Sequence, residues 1–294
     1  MGPHQNYFRL SVRGIRWLTP GMIRLTFGGE RLHEYPSTGV GDEYVRVHFP
    51  LPDGTLPQPR ILEDGSWVYA QDMYPPVAPY TIRRHDRSAG EIDMDFVIHG
   101  HGSATEWARG AQIGHEVAIG LPRGLYQPPR HVDRMVFVTD ATGLPALGRL
   151  LEQLDPDCSA TCLVEVAEES HRQELVSPAD LRVQWVSGRG NGVDPSAMTQ
   201  MLRSIELPDD CYVWVAGESR ELRSARRYLR HERGLDPSRY TVIGYWTDKH
   251  EQWLNRYLEL DPATLARLEG IWAQAPDEES GRDLYERELE ELGL

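Results

Sequence analysis

The first 120 residues alternate between apolar and polar positions in short runs, a pattern typical of strands with one buried face. Turn residues rich in Gly, Pro and Asp separate the runs. The runs lie at residues 7–17, 22–27, 44–49, 78–84, 92–98 and 115–119. About six strands at this spacing predict a small antiparallel β-barrel.

The pattern changes near residue 131, where buried apolar runs begin to alternate with segments of helical periodicity. The clearest helix spans residues 143–154, in which leucines recur on one side. This strand–helix rhythm predicts a mostly parallel sheet whose ligand lies at the carboxyl ends of its strands. Residues 254–292 follow as two or three acidic helices.

The 294 residues are 40% hydrophobic and 26% charged, which suits a globular protein of about two domains. We expect a barrel at residues 1–129, an α/β unit at residues 130–248 and a helical extension at residues 249–294. A formal net charge of −14 disfavours general binding to nucleic acid or to anionic membranes.

The three cysteines, Cys158, Cys162 and Cys211, lack the spacing of a metal site or a disulfide framework, and we interpret them as buried thiols in a reducing compartment. No apolar run approaches the roughly 18 residues of a membrane span, and the N-terminus lacks a signal-peptide pattern. We therefore expect a cytoplasmic monomer without a metal site, a nucleic-acid partner or a stable membrane association.

The first candidate site is the strand that contains Tyr80, Thr81 and Arg83. Alternation places Tyr80 and Ile82 on one face, and Thr81 and Arg83 on the other. An aromatic ring beside a hydroxyl and guanidinium groups provides what an isoalloxazine ring and its phosphates require. A barrel strand with one solvated face would explain the same residues.

A second candidate is the turn from His99 through Gly102 into a short helix. Ser103 is a predicted N-cap, and Glu106 three residues later would complete a capping box. Backbone N–H groups at a glycine-lined helix start favour an anion. A plain strand-to-helix turn has the same sequence features.

The α/β unit contains no G-x-G-x-x-G run. Residues 140–146 follow its first strand, and Gly217 ends a later strand where backbone could approach a cofactor closely. Arg223, Arg226 and Arg227 lie three and four positions apart, so they share a helix face that could meet a phosphate. Pairing with nearby glutamates on a solvated helix face is the alternative.

Together these stretches resemble the siderophore-interacting protein family, ferric-siderophore reductases with a ferredoxin-reductase-like fold. Residues 78–83 are similar to its flavin signature R-x-Y-[ST]-x-R, with Ala78 in the first arginine position. Residues 99–107 resemble H-G-x-x-G-P-A-x-x-W, with Ser103 in place of proline. Residues 214–234 resemble the run W-V-A-G-E followed by R-x-x-R-R-x-L-x-x-E-x-G, and the likeness extends from about residue 7 to residue 246.

The resemblance implies an FAD-binding antiparallel barrel, a parallel α/β domain for NADPH or NADH, and electron transfer through FAD to the iron of a ferric siderophore or another small-molecule substrate. It also implies that the missing arginine at Ala78 weakens FAD binding. The implied catalytic residues, which contact the flavin ring, are Tyr80 and Thr81. The implied phosphate-side residues are Arg83, His99, Gly102, Ser103, Ala104, Thr105 and Trp107. The implied nicotinamide-side residues are Thr142, Gly217, Glu218, Arg223 and Arg227. Tyr245 and Trp246 would lie near the flavin, and the implied substrate-binding residues are Arg84, His85 and His101.

Two other functions remain open from the sequence. Residues 140–146 also resemble the family run D-E-T-A-L-P-A, with Ala141 and Gly143 as departures. The departures at Ala78, Ser103 and Ala141 would suit a scaffold reused by a biosynthetic enzyme. They would also suit a binding protein that has lost its flavin and its catalysis.

Overall fold

The computed structural model describes residues 6–70, 73–99 and 102–294. Its first part contains nine strands and one short helix. Their bounds are β1 Phe8–Thr19, β2 Met22–Gly28, β3 Tyr44–His48, β4 Arg60–Ile61, β5 Trp67–Val68, β6 Val77–Thr81, β7 Arg84–Asp86, β8 Glu91–Val97, α1 Ser103–Arg109 and β9 Glu116–Ile119.

Seven of these strands form one antiparallel sheet in the order β6-β3-β9-β1-β2-β8-β7, and β4 pairs only with β5. The two edge strands of this sheet are β6 and β7, and only residues 82–83 separate them along the chain. The sheet is curled because this short link brings its edges together. The Ile82 N–H donates to the carbonyl of Glu43 at 2.8 Å, and the Arg83 N–H donates to the carbonyl of Asp93 at 2.9 Å. The predicted antiparallel barrel is confirmed.

The second part is a five-stranded parallel sheet with helices beside it. Its elements are β10 Arg134–Thr139, α2 Leu144–Glu152, β11 Ser159–Val166, β12 Asp180–Ser187, α3 Met198–Ser204, β13 Tyr212–Glu218, α4 Ser219–Arg227 and β14 Tyr240–Trp246. A π-helical turn at Tyr228–Glu232 continues α4, and 3-10 turns occur at Leu32–Glu34, Ala141–Gly143, Glu169–His171 and Pro237–Arg239.

The parallel strands lie in the order β12-β11-β10-β13-β14. The chain order therefore reverses between β10 and β13, and such a switch point leaves a crevice at the carboxyl ends of the strands. The predicted α/β unit is confirmed, and the reversal marks the edge at which the sequence predicts a ligand.

The C-terminal extension consists of three helices, α5 His250–Leu258, α6 Pro262–Gln274 and α7 Glu278–Glu291. It has a small apolar core of its own, in which Leu268, Leu289 and Leu294 are buried and Trp253 and Tyr257 pack against them. This core is separate from the cores of the barrel and the sheet. The extension contacts α4 mainly through charged side chains, as described below.

Candidate active site

A cleft of about 470 Å³ separates the barrel from the carboxyl end of β14. Its volume falls within the range of small-molecule sites. The lining residues are Tyr44, Arg46, Tyr74, Val77, Pro79, Tyr80, Thr81, Leu125, Ile243, Gly244 and Tyr245. Tyr44 and Thr81 are register partners on neighbouring strands, so the barrel presents them side by side. The cleft therefore brings both parts of the chain to one site.

Tyr80 has the orientation that its sequence position predicts. Its ring packs against Phe96, with ring centroids 4.2 Å apart, and lies 6.1 Å from Phe49, while it still lines the cleft. Burial raises the pKa of Tyr80, so its phenol stays protonated at neutral pH. Thr81 lies on the opposite face of the strand, buried at the cleft wall.

Tyr245 provides the third polar group of the cleft. Its hydroxyl is buried and forms no hydrogen bond within the described ranges. Burial raises the pKa of Tyr245, and the neighbouring Thr81 side chain lowers it in part. A buried hydroxyl without a partner costs free energy unless a ligand satisfies it. Together with the aromatic wall of the cleft, this hydroxyl fits a flat ligand that carries polar atoms on its edge.

Helix α1 differs from its prediction at the first turn. Gly102 is the N-cap, the Glu106 N–H donates to the carbonyl of Gly102 at 2.9 Å, and no side chain caps the helix. The predicted cap at Ser103 is therefore wrong by one residue, because Ser103 is already helical and exposed. The backbone N–H groups at the start of α1 lack a capping side chain in the described part of the chain.

The other α1 residues hold the helix on the barrel. The Thr105 hydroxyl lies 3.1 Å from His99 Nε2 and is buried. Trp107 stacks on Phe27 at a centroid distance of 6.4 Å, and Ala104 packs against the same barrel core. These contacts position the helix start and occupy the side chains of His99, Thr105 and Trp107, whereas Gly102 and Ser103 stay exposed. His101 lies outside the described residues.

The arginines near Tyr80 are already paired. Arg83 forms an ion pair with Glu152 of α2, across the boundary between the two parts. Arg84 lies 2.7 Å from Asp93 and 3.1 Å from Asp86. The structure does not bring their charges into the cleft, so we no longer assign Arg84 to the substrate or Arg83 to a phosphate.

His85 is likewise occupied on the barrel. Its Nε2 lies 3.0 Å from the carbonyl oxygen of Leu32, and its ring contacts Tyr35 edge to face. His85 does not line the cleft. This substrate assignment is withdrawn for the same reason.

The predicted nicotinamide residues divide into two groups. Thr142 and Gly217 lie together at the switch point, where the buried Asp140 carboxylate accepts from the Thr142 N–H at 2.8 Å. A Cβ on Gly217 would lie 2.8 Å from Asp140 Oδ2, so glycine is required for this close approach. Trp246, predicted near the flavin, lies here too, because its indole N–H donates to Asp140 at 2.7 Å, and it is not among the residues that line the cleft.

Glu218 is at the same edge but has a structural task. Its carboxylate accepts from the backbone N–H groups of Arg220 and Glu221 at 2.7 and 3.0 Å, which caps α4. It also accepts from the Asp248 N–H at 3.0 Å. These contacts occupy both carboxylate oxygens of Glu218, which therefore holds α4 and the segment after β14 in place beside the crevice.

Arg223 and Arg227 turn away from the crevice and bind the C-terminal extension. Arg223 donates to the carbonyl oxygen of Leu294 at 2.8 Å, and Arg227 pairs with Glu290 at 3.0 Å. The arginine face of α4 is thus covered by this chain's own acidic helix. The structure does not join these two residues to Thr142 and Gly217.

Sequence reasoning missed two arginines, Arg46 in the cleft and Arg123 in the groove beside it. Arg46 lines the cleft, and it also lines a neighbouring groove of about 650 Å³ together with Arg123 and Trp67. Neither arginine side chain forms a hydrogen bond or ion pair with another described residue. Alternation within β3 does predict that Arg46 faces outward, but only the fold shows which surface it meets.

Comparison with known proteins decides the family. Residues 11–126 match the model of the siderophore-interacting FAD-binding domain, and residues 132–249 match that of the siderophore-interacting protein. The NADPH-dependent ferric-chelate reductase of Escherichia coli is 30% identical over 246 residues, which cover 82% of this chain and 92% of that protein. The chain belongs to the siderophore-interacting protein family. The proposed resemblance and the FAD-binding barrel are therefore confirmed.

Two further proteins are similar over a comparable share of the chain. The ferric vibriobactin reductase ViuB of Vibrio cholerae is 25% identical over 239 residues, covering 79% of this chain and 86% of that protein. A siderophore utilization protein from T. fusca superposes with a TM-score of 0.72 at 31% identity, covering 82% of this chain and 92% of that one. The two family models end at residues 126 and 249, so neither extends beyond the first residue of the C-terminal extension.

Two further properties concern the described residues only. None of their helices is long and apolar enough to cross a membrane. They also contain no group of three or more His, Cys, Asp or Glu side chains arranged to hold a metal ion.

Proposed function

We propose that this protein is an NADPH-dependent flavoprotein reductase that releases iron from ferric siderophores. The observation that carries the proposal is the cleft in which Tyr80 and Thr81 of the FAD-binding barrel face Tyr245 of the α/β unit. The E. coli and V. cholerae relatives support the reaction class by their names.

The residues of the cleft fit a flavin ring. Tyr80 offers an aromatic edge, while Thr81 and the unpartnered Tyr245 hydroxyl offer polar contacts. Bound FAD would supply the conversion between the two-electron chemistry of a nicotinamide and the one-electron reduction of ferric iron. The protein's part is to bind and orient the ring, and to keep the two parts of the chain in register around it.

Arg46 and Arg123 are the side chains that we assign to the substrate. Many ferric siderophores are anionic, and in a chain with a net charge of −14 an anion needs a local positive field to approach. Both side chains are exposed at the cleft and its adjoining groove, without a carboxylate partner among the described residues. Charges in such positions act mainly on the association rate and are screened by salt.

Iron release measures this function directly. FAD-loaded protein is supplied with NADPH and an anionic ferric siderophore, and Fe(II) is trapped by a chromogenic ferrous chelator. We expect Fe(II) to form, and Arg46→Gln with Arg123→Gln to raise the KM for the siderophore about fivefold to tenfold at low salt. Arg134→Gln is the matched control, since Arg134 pairs with Asp210 at the amino ends of β10 and β13, away from the cleft. A lack of NADPH-dependent Fe(II) with every ferric chelate would refute the proposal.

A further inference from the structure

The indole of Trp246 lies in the crevice at the switch point. Its N–H reaches Asp140 at the end of β10 at 2.7 Å. On the opposite side, its Cη2 lies 3.8 Å from where a Cβ on Gly192 would be, in the loop after β12. The ring therefore extends from β14 across the end of β13 and covers the carboxyl ends of the central strands.

Asp140 is built to hold the ring in this place. The carboxylate is fully buried, and its Oδ1 accepts from the Thr142 N–H and hydroxyl at 2.8 and 2.5 Å. Its Oδ2 remains for the indole, and the absence of a Cβ on Gly217 gives the two groups room to meet. Burial raises the pKa of Asp140, and the hydrogen bonds from Thr142 and Trp246 lower it in part, so both bonds favour the ionised carboxylate.

The main chain of Trp246 is anchored independently of its side chain. Its carbonyl oxygen accepts from the Ser219 hydroxyl at 2.9 Å, and the Asp248 N–H donates to Glu218 at 3.0 Å. Rotation about the side-chain bonds can therefore move the indole without unpairing β14. The ring is only half-buried, so a path to solvent exists.

The crevice that the ring occupies is where parallel sheets of this topology bind dinucleotides. We propose that Trp246 is a gate that closes the nicotinamide dinucleotide crevice, and that Asp140 is the positioning residue that holds the gate shut. This inference rests on the proposed function. Two adjacent residues of β14 then have different roles: Tyr245 faces the flavin cleft, and Trp246 covers the dinucleotide crevice.

A gate of this kind lowers the apparent affinity for the dinucleotide. If the open form is a minor fraction of the population, the observed dissociation constant rises by the inverse of that fraction. Removing the hydrogen bond increases the open fraction. Loss of the bond should therefore tighten dinucleotide binding, whereas loss of an ordinary contact residue would weaken it.

The test measures NADP⁺ binding by calorimetry in FAD-loaded protein. Trp246→Phe keeps an aromatic ring but cannot donate to Asp140, and Asp140→Asn tests the same bond from the other side. Both should lower the dissociation constant for NADP⁺ about tenfold. Trp17→Phe is the control, since Trp17 is half-exposed on the β1 strand.

A spectroscopic readout separates gating from general disturbance. In protein labelled with 5-fluorotryptophan, the fluorine resonance assigned to Trp246 by the Trp246→Phe variant should shift on addition of NADP⁺, while that of Trp17 stays in place. Unchanged or weakened NADP⁺ binding in Trp246→Phe, with normal binding in the wild type, overturns the gate alone. Absence of NADP⁺ binding in the wild type and both variants overturns the gate and the proposed function together.

Discussion

The guanidinium of Arg149, on the first helix of the α/β unit, donates to the main-chain carbonyl of Ile82 in the barrel at 2.6 Å. The same group lies 3.3 Å from the fully buried carboxylate of Glu43. Ile82 directly follows Tyr80 and Thr81, so this one buried cation fixes the candidate flavin strand against the nicotinamide sheet. The geometry of the cleft depends on that contact.

Replacing Arg149 with Met should therefore destabilise the whole molecule. The change leaves the Glu43 carboxylate without its buried cation, and the loss of one partner from a buried pair costs about 3–5 kcal/mol. Urea unfolding measures this change in the free energy of unfolding. Arg9→Gln is the control, because Arg9 and Glu116 form an exposed pair that should contribute less than about 1 kcal/mol. Equal effects of the two substitutions would argue against a structural role for Arg149.

The docking of the C-terminal extension should depend on one arginine far more than on its neighbour. Arg226 is 4% exposed and donates to Glu279 and to the carbonyl of Val242, both at 3.0 Å. Arg227 forms an exposed pair with Glu290. Arg226→Gln should cost about 2–3 kcal/mol of unfolding free energy, and Arg227→Gln under about 0.5 kcal/mol. Denaturant titrations of both variants measure these losses of unfolding free energy. A larger loss from Arg227→Gln than from Arg226→Gln would contradict the prediction.

Glu165 makes stability depend on pH in a defined direction. Burial raises the pKa of this carboxyl to about 7, although Ser196 and the Ala197 N–H donate to it. The folded state then binds a proton that the unfolded state releases above its ordinary pKa. Stability from this group is present below that ordinary pKa and is lost as the pH rises to about 7, a total of about 3 kcal/mol.

The variant Glu165→Gln removes this titration while it retains partners for both hydrogen bonds. Its melting temperature relative to the wild type should rise between pH 5 and pH 8, because only the wild-type carboxyl must ionise. Thermal unfolding at the two pH values measures the difference. A constant difference between variant and wild type would show that Glu165 does not titrate in this range.

Ala78 sets the expected affinity for FAD. It packs against the barrel core and is the register partner of Val47, two positions before Tyr80. An arginine here would restore a charge-assisted phosphate contact, which contributes about 1.5–3 kcal/mol, or about one to two decades of affinity. FAD titrations should show tighter binding in Ala78→Arg than in the wild type. Ala78→Gln, of similar length without charge, should show no gain; an equal gain would exclude a charge effect.

Much of the fold could be predicted from the sequence because its signals are local. Period-2 alternation gave the correct faces for Tyr80 and Ile82, and the leucine periodicity marked α2. The position of Gly217 at a strand end also follows from its place after a buried run. These features depend on neighbouring residues, which the sequence displays directly.

The site was harder to predict because its residues meet through tertiary contacts. Arg227 is predicted to bind a phosphate, because its actual partner, Glu290, lies in α7, more than 50 residues later in the chain. The indole of Trp246 was expected near the flavin, yet its direction is set by Asp140, which lies 106 positions earlier in the chain. Arg46 carries no motif, and only the packing of β3 beside the cleft reveals it.

The most direct test of the account is an anaerobic spectroscopic cycle with FAD-loaded protein. NADPH should bleach the flavin absorbance, and a ferric siderophore should then restore it, with two ferric ions reduced for each NADPH oxidised. Flavin that NADPH bleaches but that no ferric chelate restores would contradict the proposed reductase, and conversion of an organic compound in its place would identify a biosynthetic enzyme.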